Sequence, residues 1–290
     1  MSLSQLFESK RVISFELFPP KTPAGEKSLY TNVESLMKFN PDFITCTYGA
    51  GGSTQDKTLE IIEKVKQQFS VPVASHLTLV GSSVDDLRRY LETAKKQSVD
   101  YIVALRGDPP KGQSSFQQAE GGLRYANELV ELISAEFNDF GVLVAGYPEK
   151  HVEAPSMEVD LENLKRKVDA GADAIVTQLF YDNEDFYRFR DLCDKQGIKI
   201  PIVPGLLPVT SLKQIQRIAS MCGAKLPQQF VADLEKQETD DGQFEVGVEF
   251  AAKQTQELVK AGVAGLHFYV LNRSGATLSL IHISEPTRPY

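Results

Sequence analysis

The chain has 290 residues, a length that suits two ordinary domains or one α/β barrel, and a globular composition of 42% hydrophobic and 24% charged residues without tryptophan. Its formal net charge of -8 argues against nucleic acid as a partner, and no apolar run approaches the roughly 20 residues that cross a bilayer, so no membrane partner is expected. Cys46, Cys193 and Cys222 lie far apart without metal-ligand spacing, and the N-terminus lacks a secretory pattern, so a soluble cytoplasmic protein with reduced thiols is expected.

The first strand-like run is 12–18 in "RVISFELFPPK", where Glu16 interrupts apolar residues and Pro19-Pro20 closes the run. Two-residue alternation gives Ile13, Phe15 and Leu17 one face and Ser14, Glu16 and Phe18 the other. A helix follows at 26–39, then a strand at 43–48 that ends on Thr47 and Tyr48 and enters "YGAGGST". Those glycines suit a tight turn, or the close approach of backbone to a phosphate or a flat ring. After a helix at 56–69 comes a strand at 71–79 carrying His76, and then a helix at 84–97 opened by a Ser83/Asp86 capping box.

The strand at 101–105 runs into Arg106, Gly107 and Asp108 and precedes a helix at 122–137. The strand at 141–147 ends in "GYPEKH", with Tyr147, Glu149 and His151. Its helix, 157–170, turns Leu161, Leu164 and Val168 inward and carries the basic triplet Lys165, Arg166 and Lys167, either a solvated face or a phosphate anchor. A strand at 174–180 includes Gln178 and leads to a helix at 184–196. The last units are a strand at 200–204, a helix at 211–222 capped by Thr210, an inserted helix at 227–237, a helix at 244–261 and a strand at 265–271 that ends just before Arg273. Gly171, Gly197 and Gly262 mark helix ends.

Eight strands alternating with eight helices fit either a (β/α)8 barrel or an open doubly wound sheet. "YGAGGST" lacks the spacing of the dinucleotide fingerprint G-x-G-x-x-G, and no Pro/Ser-rich linker divides the chain. The expected fold is therefore α/β, a single-domain (β/α)8 TIM barrel over 1–273. The tail 274–290, "SGATLSLIHISEPTRPY", has no clear helical period and reads as a cloning or frameshift scar.

In such a barrel, function collects at the C-terminal ends of the strands, where Glu16, Thr47, His76, Arg106, Asp108, Tyr147, His151, Gln178 and Arg273 fall. Bland alternatives stand beside these: Glu16 as a structural carboxylate, Asp108 as a turn cap, His76 and His267 as core histidines. No metal site is expected, for there is no H-E-x-x-H and no paired histidines. No G-x-S-x-G marks a serine nucleophile, and no strand holds a lysine for a Schiff base. What remains is acid–base work by carboxylates, or a cofactor that carries the chemistry.

In this order, "SFELFPPKT", "TCTYGAGGST", "HLTL", "YIVALRGDPP", "GYPEKHVEA", "DLENLKRKVDAGADAIVTQLFYD", "PGLLPV" and "HFYVLNR" resemble the bacterial-type 5,10-methylenetetrahydrofolate reductases from about Arg11 to Arg273. The resemblance implies an FAD-containing barrel that reduces 5,10-methylenetetrahydrofolate to 5-methyltetrahydrofolate for methionine synthesis. It implies ping-pong hydride transfer from NADH or NADPH, NADH being favoured, and a homo-oligomer such as a tetramer. By position it makes Glu16 the general acid and Asp108 the carboxylate near the flavin and the pterin. Gln178 and Arg273 become folate contacts. Thr47, Tyr48, Ala50, His76, Arg106, Gly107, Asp108, Tyr125, Ala126, Tyr147, His151, Ala154, Asp160, Asn163, Arg166 and Lys167 become the FAD lining. Where relatives carry an aromatic residue after "LPV", this chain has Leu212.

Independently of the family, an acid that works near neutral pH needs a raised pKa, which desolvation by Phe15, Leu17 and Phe18 is expected to give Glu16. Three competing functions remain. A flavin-free phosphate-binding barrel lyase or isomerase predicts a Gly-rich phosphate loop after the seventh or eighth strand. A non-catalytic folate- or flavin-binding protein predicts binding without turnover, and an open-sheet dehydrogenase needs the missing fingerprint.

Overall fold

The computed structural model describes residues 2–20, 22–47, 55–109, 112, 115–270 and 275–277, without the side chains of 55 and 56. Its strands are β1 (Val12–Leu17), β2 (Phe43–Cys46), β3 (Val73–Thr78), β4 (Tyr101–Leu105), β5 (Gly141–Gly146), β6 (Ala174–Thr177), β7 (Ile202–Val203), β8 (Gly205–Leu206) and β9 (Gly265–Tyr269). All pair in parallel, in the order β7-β6-β5-β4-β3-β2-β1-β9-β8. Pro204, which has no N–H, splits the seventh barrel strand into β7 and β8. One piece pairs with β6 and the other with β9, so the ring closes through this strand. Tracing the register once around the ring returns to β1 displaced by eight residues, the shear of a (β/α)8 barrel.

Alternation along the strands makes two cores. Phe15 and Leu17 of β1 point outward and are fully buried against the helix layer, with Ile44, Ile102, Ile175 and Phe268 from other strands. Each such side chain contributes on the order of 1.5–3 kcal/mol. Val12, Phe43, Ala74, Tyr101, Leu143 and Val203 fill the barrel's N-terminal half. A helix that the sequence reading passed over, α1 (Leu3–Ser9), plugs that end with Leu3, Leu6 and Phe7. Its capping box, Ser2 with Gln5, is the signal that was present.

The outer helices are α2 (Pro23–Met37), α3 (Gln55–Phe69), α4 (Val84–Lys96), α5 (Ala126–Glu136), α6 (Met157–Asp169), α7 (Asn183–Lys195), α8 (Leu212–Cys222), α9 (Gln228–Glu235) and α10 (Asp240–Lys260). The Ser83/Asp86 box caps α4 as expected. α8 is capped by Ser211 rather than Thr210, because the Ser211 hydroxyl is the one that reaches the Gln214 N–H. α5 starts four residues later than periodicity suggested, with Tyr125 as its first cap, and α10 starts four residues earlier, capped by Thr239. Cys46 and Cys193 are buried thiols, and burial pushes Cys193 up to about 12. Of the tail, residues 275–277 form a helical turn with Ala276 and Thr277 buried. Among the described residues no helix is long and apolar enough to cross a membrane.

Candidate active site

The inward face of β1 carries Val12, Ser14 and Glu16, so β1 lifts the Glu16 carboxyl group to the C-terminal mouth of the barrel. There a cavity of about 430 Å³ is lined by Glu16, Thr45, Thr47, His76, Arg106, Gly107, Asp108, Tyr147, His151, Gln178, His267 and Tyr269, among others. Gly107 is the turn that brings Asp108 there. Its φ is +89°, and a Cβ would lie 2.8 Å from Val80 Cγ2 and 2.9 Å from Thr78 Cβ, so only glycine passes between β4 and the mouth.

Glu16 Oε2 lies 3.2 Å from His76 Nε2 and 3.6 Å from His267 Nε2. His267 Nδ1 is 2.8 Å from Ser14 Oγ. The hydrogen bond between Ser14 and Nδ1 turns the Nε2 edge of His267 toward the carboxylate. Burial opposes ionisation of Glu16, yet the positive charge and hydrogen bonding of His76 and His267 outweigh it and bring the carboxyl down to about 2. The expectation of a raised pKa is therefore corrected. Phe15 and Leu17 face the helices instead of the carboxyl group, Phe18 is exposed, and imidazoles occupy the place where apolar surroundings were expected.

The mouth continues into a groove of about 420 Å³ between the β4 and β5 ends, the start of α5 and one face of α6. Leu105, Arg106, Ala145, Tyr147 and His151 line both spaces. The groove collects Tyr125, Ala126, Ala154, Asp160, Asn163, Arg166 and Lys167 as well, with Arg124, Phe116 and Glu153. The Ser156 cap starts α6, and helical spacing then sets Asp160, Asn163 and Lys167 on one face. Asp160 Oδ2 accepts the His151 N–H at 2.9 Å, and His151 Nδ1 accepts the Glu153 N–H at 3.1 Å. Lys167 Nζ donates to the Ala145 carbonyl oxygen at 2.5 Å, 6.0 Å from the Tyr147 ring centre. Burial brings this ammonium down to about 8, against the pull of Asp160. Lys165 instead pairs with Asp169 on the exposed side, so the basic triplet divides between solvent and groove.

Of the candidate residues, Tyr48, Ala50 and Arg273 lie outside the described residues, and all the others line the mouth or the groove. His76 and His267 both meet Glu16, so neither is a plain core histidine. Sequence reasoning missed His267, Tyr269, Thr45 and Glu153 as site residues. The alternation applied to the first strand, carried to Gly265, His267 and Tyr269 on the last, was the signal for two of them. Among the described residues no group of three or more His, Cys, Asp or Glu has the arrangement of a metal site.

Fold and site together define a (β/α)8 barrel protein with a charged, acid–base-equipped ligand cavity at the C-terminal mouth. The family model for methylenetetrahydrofolate reductase matches residues 2–285, and the chain belongs to that family. It is 39% identical over 285 residues to methylenetetrahydrofolate reductase (NADH) 1 of Arabidopsis thaliana, covering 94% of this chain and 48% of that protein. To 5,10-methylenetetrahydrofolate reductase of Escherichia coli (strain K12) it is 39% identical over 272 residues, covering 93% of this chain and 89% of that one. The chain thus spans about half the length of the plant relatives and most of the bacterial ones. A solved structure from Clostridium thermocellum, an uncharacterized protein that binds two copies of 5-methyl-5,6,7,8-tetrahydrofolic acid, superposes with TM-score 0.70. The match covers 98% of both chains at 18% identity, a likeness of fold.

Proposed function

We propose that the chain is a flavin-dependent oxidoreductase that reduces 5,10-methylenetetrahydrofolate to 5-methyltetrahydrofolate with NADH, by ping-pong hydride transfer through FAD. Membership of the family supports the reaction. The observation that carries the flavin reading is the continuity of an acid–base mouth with a cation-lined groove, joined by Arg106, Tyr147 and His151.

The residues present fit such a ligand. His76 Nδ1 and Thr45 Oγ1 are buried without a hydrogen-bond partner in residues that line the mouth, an arrangement that a polar ring edge would satisfy. Arg106, Arg124, Arg166 and Lys167 surround a space suited to a pyrophosphate. FAD, when bound, supplies reversible two-electron transfer between NADH and the folate. Thr47, His76, Gly107 and Asp108 would border its ring system, and the groove would hold its phosphates and nucleoside. Glu16, flanked by the two imidazoles, would deliver a proton at the folate position, for opening the imidazolidine ring. Asp108 and Gln178 orient the pterin. A cytoplasmic homo-oligomer completes the reading.

The visible spectrum tests it. Flavin bands bleached by NADH without air and restored by methylenetetrahydrofolate are expected, whereas a colourless protein unable to take up FAD would favour the alternative, a flavin-free phosphate-binding lyase or isomerase. Glu16→Gln is expected to accept electrons from NADH at the wild-type rate and to lose the folate half-reaction by about 100-fold or more. An unimpaired folate half-reaction would remove Glu16 from the acid role.

A further inference from the structure

Arg106 stands where the mouth and the groove meet and lines both. Its two terminal nitrogens are occupied by one carboxylate: Nη1 donates to Glu153 Oε2 at 2.7 Å and Nη2 to Glu153 Oε1 at 2.6 Å. The guanidinium also lies over the Phe116 ring, 5.2 Å from its centre, which fixes the plane it presents. That planar fork matches a carboxylate or a phosphate but cannot take both through the same two nitrogens.

We infer that Glu153 is an internal stand-in for the anionic group of the groove's ligand, a positioning residue that holds Arg106 ready and sets the affinity by competing with a phosphate for it. The inference rests on the reading of the groove as the seat of a pyrophosphate-containing flavin. Two features make the exchange easy. The Glu153 side chain is 46% exposed, so a released carboxylate turns directly into water. Its backbone stays fixed, because the Glu153 N–H donates to His151 Nδ1, and only side-chain torsions need to change. Asp160, the other carboxylate of the groove, is held differently, by the His151 N–H. Glu153 is thus the acid placed to yield.

The experiment dilutes FAD-loaded protein and follows released flavin by its fluorescence. Glu153→Gln keeps the size and the backbone N–H while removing the competing charge. It is expected to bind FAD about fivefold more tightly than wild type, the equivalent of the upper range of a partly exposed ion pair. Glu153→Ala is expected to change affinity in the same direction. In an Arg106→Gln background, which binds FAD more weakly, adding Glu153→Gln is expected to change nothing, since no fork is left to compete for. Unchanged or weaker binding in both Glu153 variants overturns the inference, as does an equal gain in the Arg106→Gln background, which would reveal a general charge effect. A wild-type chain that takes up no FAD overturns the flavin reading itself, whereas wild-type uptake without a gain in the variants overturns only the role of Glu153.

Discussion

Replacing Glu16 by glutamine tests the electrostatics of the mouth through stability alone. In the fold the carboxyl group is brought from 4.5 down to about 2, and its side chain is only 18% exposed, so solvent screening takes little from the interaction. That difference corresponds to about 3 kcal/mol of folding stability at neutral pH. The sign follows from a depressed carboxylate: the contribution is complete above the unfolded value of 4.5 and is lost as pH falls through 2. About half of it remains near pH 3. Glutamine has nearly the same shape and keeps an acceptor for His76, so cavity formation adds little. Urea unfolding of the flavin-free protein, followed by circular dichroism, is expected to show Glu16→Gln less stable by about 2–3 kcal/mol at pH 7, with an unchanged m-value and a gap that narrows toward pH 4 and below. A variant as stable as wild type at pH 7, or a gap that widens on acidification, would refute the view that His76 and His267 hold Glu16 as an anion.

Lys167 carries the opposite sign. Its folded pKa, about 8, lies below the ordinary 10.5, so the fold holds the charge at a cost that disappears as pH rises from 8 through 10.5. Lys167→Met is therefore expected to melt at a higher temperature than wild type at pH 7 without flavin, with a smaller difference at pH 9.5, while its FAD affinity falls by about tenfold or more. Melts that show Lys167→Met less stable at pH 7 would contradict this. Gly205→Ala tests closure of the barrel. The new Cβ would lie 2.2 Å from the Thr177 carbonyl oxygen and 2.7 Å from the Tyr269 ring, at the seam where Gly205 N–H bonds Thr177 Oγ1. A loss of about 3 kcal/mol or more is expected in denaturant unfolding, and a loss under 1 kcal/mol would mean that the seam has room for a methyl group.

The barrel was legible because the β and α periods alternate from β1 to the seventh strand, and because β1 separates its faces cleanly, with Phe15 and Leu17 outward and Glu16 inward. The seventh strand was legible as a run but not as two pieces, since the break comes from the missing N–H of Pro204 at the seam. α1 escaped because seven residues are too few for periodicity, although its capping box was there to read. At the site, strand position alone brought Glu16, His76, Asp108 and Gln178 to the mouth. What it left out was the charge state of Glu16, which depends on His267 arriving from the far end of the chain. Nor did it show Glu153, whose partner Arg106 is 47 positions away and whose own surroundings in "KHVEA" read as plain loop.

A carboxyl group brought down to about 2 is ionised at pH 7, so on the proposed function it acts as an acid only once its surroundings change. Glu16 Oε2 lies between two ring nitrogens, His76 Nε2 at 3.2 Å and His267 Nε2 at 3.6 Å. An open mouth favours the carboxylate, because water solvates the anion. A pterin that fills the mouth removes that water, and the added desolvation raises the carboxyl group toward its protonated form. The acid would thus be formed by occupancy of the site instead of waiting in the empty one. Ser14, at 2.8 Å from His267 Nδ1, keeps that ring turned toward the carboxyl group throughout.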